Sequence, residues 1–360
     1  MNPIRLRGPA DILAALPFQL GYHPEEAVVV VALTGRAIGL VQRVDLPPEQ
    51  HVEAAVTSLL TALAREEPDS VLLVGYEPAA GAAMPLLDGL DAACGGLGIA
   101  ALDRLVVRDG RWFAPDCGTG CCPGEGTPLP APGEVPAVAD FVGLEMAPVR
   151  DRAALRSQIA PDPARCAEVA EVLRGMVTAE QAPGRHLRVL GTREEAVRRL
   201  RQLSRWAVVC DVSPARPPLE GLAAEEVADC AVALRDLALR DGLIGWLCPG
   251  TLPLDALDDD LVDQLRSCLQ PPTWAAASPS PEGAVAGRRL QARLVQLCRM
   301  LPDEHAAPAL TVLANLTWWL GDGALTRVAL QRALEVEPGY RLARLLERMV
   351  DLAIRPRETA

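Results

Sequence analysis

At 360 residues the chain exceeds one typical domain, and half of it is hydrophobic, so a sizeable core can form in two parts. All 35 basic residues are Arg and none is Lys, which excludes a Walker-A lysine, a pyridoxal-phosphate Schiff base and a Ser-Lys dyad. The net charge of -12 is uneven: nine Arg face nineteen acids in 1–150 (net -10), and twenty-six Arg face twenty-eight in 151–360 (net -2). An acidic first half repels phosphate, so neither nucleic acid nor an anionic membrane is expected as a partner.

Residues 9–16 carry an early Pro and read as a short helix. Ala27–Leu33 is an unbroken valine-rich run, the pattern of a strand buried on both faces. Thr34-Gly35 turns the chain into a second, antiparallel strand over Ala37–Leu46. An amphipathic helix follows, with Val52, Ala55, Val56, Leu59, Leu60 and Leu63 on one stripe and Pro68 as its stop. Val71–Gly75 predicts another buried strand, and the strand-helix-strand order predicts parallel strands in one sheet. Residues 79–94 read as a helix interrupted by Gly81 and Gly89. Leu105–Arg108 and Arg111–Ala114 flank Asp109-Gly110, a strong hairpin signal because both turn positions need positive φ. A loop dense in Gly, Pro and Cys follows, and Val135–Met146 reads as a closing helix.

Beyond residue 150 the strand signals stop. Asp162-Pro163 opens a helix carrying Cys166, Val169, Leu173 and Met176. Thr192 with Glu195 forms a capping box. Val227, Cys230, Leu234 and Leu237 mark one further helix, Leu261, Leu265 and Leu269 another. Residues 271–283 read as a loop or linker, and Leu290, Leu294, Leu297 and Leu301 resume the helical spacing. Near the end, Leu313-Ala314, Gly321-Asp322, Leu330, Ala333-Leu334 and Pro338 resemble one tetratricopeptide repeat, with Thr326 in place of the small Ala and Leu310 in place of the usual Trp. One repeat does not make a solenoid, and an ordinary helical hairpin fits equally well. The expected architecture is an α/β N-terminal domain over 1–150, with a mixed sheet, flanking helices and a β-hairpin. An all-α region over 151–360 follows it and ends in a repeat-like hairpin.

Chemistry-bearing side chains converge in the loop after the hairpin, where Cys117, Cys121 and Cys122 stand as C-x3-C-C-P. The paired C-x2-C of a zinc ribbon is absent. Three thiolates would bind zinc given a fourth ligand, for which His23 and Cys94 are candidates; the bland alternative is a tight loop whose cysteines pack as small apolar groups. A Cys nucleophile needs a base to lower its pKa. Of the four His (His23, His51, His186, His305), His23 in the turn before the first strand is the one placed to approach the loop, and Glu125 lies on the loop itself. Arg43 and Asp45 are two apart and share one strand face. With Arg108 and Arg111 they would bind a carboxylate or phosphate at a sheet edge; a solvated face with local ion pairs is the alternative. Gly96-Leu97-Gly98-Ile99-Ala100-Ala101 matches a dinucleotide fingerprint by letters only, since it follows a helix rather than preceding one. Asp258-Asp259-Asp260 suits a first helical turn better than a metal.

Four stretches together resemble an uncharacterised actinobacterial family, domain of unknown function 4192. They are LRGPADILAALPFQLGYHPEEAVVVVAL (6–33), QRVDLP (42–47), VRDGRWFAPDCGTGCCPGEGTPL (107–129) and WLGDGALTRVALQRALEVEPGYRLARLL (319–346). The resemblance implies no reaction, ligand or cofactor.

Two functions remain in view. One is an interaction or regulatory protein, without a complete catalytic constellation, that meets a protein partner through the surface of 310–346. The other is an enzyme or a small-ligand or metal sensor built on the Cys117-Cys121-Cys122 loop. No span of about 20 apolar residues is present, Asp11, Pro17 and Gln19 spoil a signal-peptide reading, and ten cysteines are too few for a disulfide scaffold. A cytoplasmic protein with reduced thiols is expected.

Overall fold

The computed structural model describes residues 6–35, 37–117, 122–180, 192–275, 280–354 and 356, and only the backbone at 177–180 and 192–195. The chain divides into two compact units, one built mainly from Asn2–Arg152 and the other mainly from Ala153–Val350.

The first unit holds a mixed six-stranded sheet. Its strands are β1 (Ala27–Thr34), β2 (Ala37–Asp45), β3 (Ser70–Tyr76), β4 (Ala100–Arg108), β5 (Arg111–Phe113) and β6 (Thr127–Pro128), in the spatial order β2-β1-β3-β4-β5-β6. β1 is antiparallel to both β2 and β3, while β3 and β4 are parallel neighbours. The expected crossover thus makes β2 and β3 parallel members of one sheet, but β1 lies between them. β1 is buried along Ala27–Ala32 on both faces, as its unbroken apolar run requires. Asp109 (φ 49°) and Gly110 (φ 70°) both take positive φ in the β4–β5 turn.

Helix α1 (Pro9–Leu20) runs four residues further than its apolar start suggests and ends at Gly21 in the left-handed conformation. Helices α2 (Val52–Glu66) and α3 (Met84–Gly96) cover one sheet face. Val56, Leu59 and Leu63 of α2 and Leu86, Leu87 and Leu90 of α3 pack there with Val28, Val30, Leu73 and Val106. Gly75 sits where α3 begins, and a Cβ there would lie 2.5 Å from that of Ala83, so only glycine permits this approach. Helix α4 (Pro136–Gly143) packs on α1, with the Phe18 and Phe141 rings 5.6 Å apart.

The second unit is helical throughout its described residues: α5 (Arg152–Gln158), α6 (Pro163–Glu180), α7 (Thr192–Cys210), α8 (Ala224–Ala233), α9 (Leu237–Leu247), α10 (Asp259–Cys268), α11 (Pro281–Met300), α12 (Asp303–Trp319), α13 (Gly323–Val336) and α14 (Arg341–Asp351). The helix expected across Val227–Leu237 is two helices. Asp236 accepts from the Ala238 and Leu239 N–H groups at 3.1 and 3.3 Å, and so starts α9 inside what looks like one apolar period. Asp258 caps α10 in the same way, leaving Asp259 and Asp260 in its first turn. Helix α7 begins at Thr192, but the Thr192–Glu195 capping box lies outside the described side chains.

Thr326, the residue that departs from the repeat pattern, is fully buried; it donates to Asp322 O and lies 2.9 Å from the Thr317 hydroxyl, a pair an Ala would not form. Buried arginines close helix ends. Arg293 donates to the carbonyls of Val208, Val209 and Pro217 at 2.8, 2.9 and 3.0 Å, and Arg332 donates to those of Ile159 and Cys298. A planar guanidinium with five donors suits such clusters of carbonyls better than an ammonium does.

Candidate functional site

The residues singled out from the sequence fall into two groups on opposite faces of the sheet. The ladder pairings run in one row through Asp45, Ala27, Tyr76, Val107, Trp112 and Thr127, which therefore share a face. The adjacent row, Val44, Val28, Gly75, Val106 and Phe113, belongs to the face under α2 and α3. Arg43 and Asp45 lie on the first face. Arg108 and Arg111, paired with each other across the hairpin, lie on the second. The joint anion site expected from these four residues is not formed. β1 and β3 also separate them in the sheet.

On the first face Arg43 and Asp45 form an ion pair, as their spacing predicts, and Arg43 also donates to Glu25 O at 3.1 Å. Arg152 reaches Asp45 at 3.5 Å. Tyr22 is buried beside them; burial raises its pKa, and the positive charges of Arg43 and Arg152 pull it back. His23 is exposed, and its backbone N–H bonds Val149 O at 3.1 Å. Among the described residues nothing links His23 to the Cys loop. Tyr76 Oη, Trp112 Nε1 and Arg43 Nε, all on this face, are buried without a hydrogen-bond partner among the described residues. Burial drives the Tyr76 hydroxyl pKa strongly upward, so it stays protonated.

The second group is a set of clamps. Glu77, whose side chain is 1% exposed, follows β3 directly. Its carboxylate accepts from the N–H groups of Gly81 at 3.2 Å and Ala83 at 2.9 Å, and from Arg108 at 2.9 Å. Arg108 also lies over the Phe113 ring, 4.7 Å from its centre. The end of a parallel strand, before a helix N-terminus, is where α/β units receive anions. Here the chain's own carboxylate fills that position. This also explains why α3 starts at Met84 and not at residue 79: Glu77 holds Gly81 and Ala83 in a turn.

Arg104 holds the near end of the Cys loop. It donates to both Asp116 oxygens at 2.5 and 2.6 Å and to Asp88 of α3 at 2.6 Å, and this bonding keeps the Asp116 carboxyl below its usual range. Arg111 holds the far end through the carbonyls of Glu125 and Gly126 at 2.8 and 2.7 Å. Gly126 has φ +76° and lies against Phe113, where a Cβ would come within 2.6 Å of the ring. Glu125 thus contributes its carbonyl to the clamp.

Cys117 and Cys122 are half-buried on this clamped loop. Cys121 lies outside the described residues, so the trio cannot be placed as one shell. Cys94 sits in the apolar cluster under α3, with its thiol pKa raised by burial, and is withdrawn from the loop as a ligand. Among the described residues no three His, Cys, Asp or Glu side chains gather as a metal shell. His51 stands at the start of α2, and His305 lies in the first turn of α12 with Nδ1 3.1 Å from Arg235. His186 lies outside the described residues.

A family model described as "Domain of unknown function (DUF4192)" matches residues 9–357. The chain belongs to this family. No curated protein and no solved structure matches it. The match spans the sheet, the clamped loop and the helices, so the family covers both units and its description names no chemistry.

Glu77, Arg104 and Asp116 have no sequence signature of their own. The usable signals are weak: an acid directly after a buried strand, and an Arg directly before the apolar end of β4.

Proposed function

We propose that this protein acts by binding a protein partner through its helical unit, and that the Cys loop is a structural feature of the sheet. The observation that carries this reading is an open groove of about 470 Å³ beside α13. Val328, Arg332, Glu335 and Val336 of α13 form one wall, within the 310–346 surface expected to meet a partner; Arg156 and Ile159 form the other. Arg156 and Glu335 pair across it at 3.2 Å, each about half exposed, so the groove offers charged groups beside the apolar Ile159, Val328 and Val336. Supporting it on the other side, the charged residues around the Cys loop are engaged in clamps that hold backbone. The compartment fits a reducing cytoplasm: Cys94, Cys166, Cys210, Cys230, Cys248, Cys268 and Cys298 carry free thiols. Among the described residues no helix is long and apolar enough to cross a membrane.

The test is affinity purification of the full chain from its own cells. Co-purifying proteins are identified and re-bound in purified form. Reversing the groove's charge with Arg156→Glu or Glu335→Arg is expected to abolish the re-binding, and Cys117→Ser to leave it intact. Loss with Cys117→Ser and retention with both groove variants contradicts the reading.

The clamping of the loop at both ends favours one second reading, a thiol-based metal or sensor site at Cys117, Cys121 and Cys122. Stoichiometric zinc in anaerobically purified protein, lost on Cys117→Ser with the fold intact, is the result expected of it.

A further inference from the structure

A second groove of about 510 Å³ opens on the helical unit at the C-terminal end of α9. Trp246, Pro249, Leu252, Pro253 and Pro272 line it, with Asp255 at its edge. The chain is bent tightly to make it. Gly245 faces Leu252 O so closely that a Cβ would lie 2.7 Å from that oxygen, and Gly250 takes φ +83°. Three indole N–H groups fix the walls. Trp246 donates to Gln270 O at 3.1 Å, Trp274 to Leu247 O at 2.9 Å, and Trp319 of α12 to Pro249 O at 3.0 Å. The Trp246 ring is therefore held in place by a bond at its edge.

One acidic side chain lines the groove: Asp255 is exposed, and among the described residues no basic side chain pairs with it. An oriented aromatic ring among prolines, with the unpaired Asp255 carboxylate beside it, matches the chemistry of a polyproline segment carrying a basic residue. Prolines pack on aromatic faces with little ordering cost, and the cation meets the carboxylate. No basic side chain is among the lining residues, so an anionic segment meets no counter-charge there.

We infer that this groove receives a short, extended, proline-rich segment of a partner protein, with its prolines against Trp246 and an Arg or Lys at Asp255. The inference rests on the reading of the helical unit as a binding body, and adds a second contact of defined chemistry. A small organic cation would use the same ring and carboxylate, so the experiment separates the two.

The full chain is titrated into fluorescein-labelled APPLPPR peptide and followed by anisotropy. Three comparisons run in parallel: the same peptide with Glu for Arg, the same with Ala for every Pro, and tetrapropylammonium as competitor. Saturable binding of APPLPPR is expected, absent for the Ala peptide and weakened at least about tenfold for the Glu peptide. Trp246→Ala is expected to abolish binding. Because that variant disturbs packing, the exposed Asp255→Arg serves as a second one, expected to weaken binding at least about tenfold with an unchanged circular dichroism spectrum. No saturable binding of APPLPPR, undiminished binding by Asp255→Arg, or displacement by tetrapropylammonium at equal concentration overturns the inference. Failure here, with the α13 variants still losing their partner, removes this inference alone; peptide binding with those variants unaffected removes the α13 reading alone.

Discussion

The two units use arginine for different ends. In the sheet unit Arg104, Arg108 and Arg111 sit at the edge of the fold and hold loops: the turn before α3 through Glu77, and the two ends of the Cys loop. In the helical unit Arg293 and Arg332 are buried and satisfy carbonyls at helix ends. A chain without lysine has one cation for both tasks, and the planar fork serves each. The difference teaches where function can be sought. Around the Cys loop the polar groups are spent on one another, whereas the helical unit buries Arg293 and Arg332 inside and has open grooves on its surface.

The buried cation gives the largest expected effect. Arg293→Met leaves two carbonyls at the end of α7 and that of Pro217 in the following loop without this donor, and is expected to cost about 3–5 kcal/mol in urea or guanidinium unfolding. A loss under about 1 kcal/mol would mean that water replaces the guanidinium and that the two units do not differ in this way.

Gly126→Ala is expected to cost about 2–3 kcal/mol, since it combines positive φ with a clash on Phe113. The same variant should raise alkylation of Cys117 and Cys122, read by mass spectrometry after brief maleimide treatment. Cys298, fully buried and with its thiol pushed up to about 12 by that burial, should stay unmodified.

Glu77→Gln keeps the shape but removes the buried counter-charge of Arg108 and leaves it the exposed Asp109 at 3.9 Å, for an expected loss of about 1–2 kcal/mol. If the turn before α3 tolerates Gln at no cost, the clamp is held by geometry and not by charge.

The smallest effect is one of pH. The Arg216 guanidinium beside Asp211, with the Ser213 N–H, holds that carboxyl down to about 2. Its folded value lies below the unfolded one of about 4. The stability it contributes is thus complete above pH 4 and is lost as pH falls toward 2. Asp211→Asn should flatten the melting temperature over that interval and leave it unchanged in slope above pH 5.

Much of the fold could be read locally. The valine run gave a strand buried on both faces, Asp109-Gly110 a hairpin turn, and the Val52–Leu63 stripe a helix. Each depends on neighbours within a dozen residues. What escaped depends on distant partners. Strand alternation puts Arg43 with Asp45, and Arg108 with Arg111, but their relative faces follow from the register carried across β1 and β3. Glu77 gains its role only because β3, α3 and Arg108 meet around it. The break at Asp236 is hidden because the apolar spacing runs on from Val227 to Leu237 across it.

The most direct test is hydrogen exchange on the full chain with and without its purified partner. Binding through the helical unit predicts new protection in residues 156–161 and 328–336 and none in 107–129. Protection confined to 107–129, over the hairpin and the Cys loop, contradicts it.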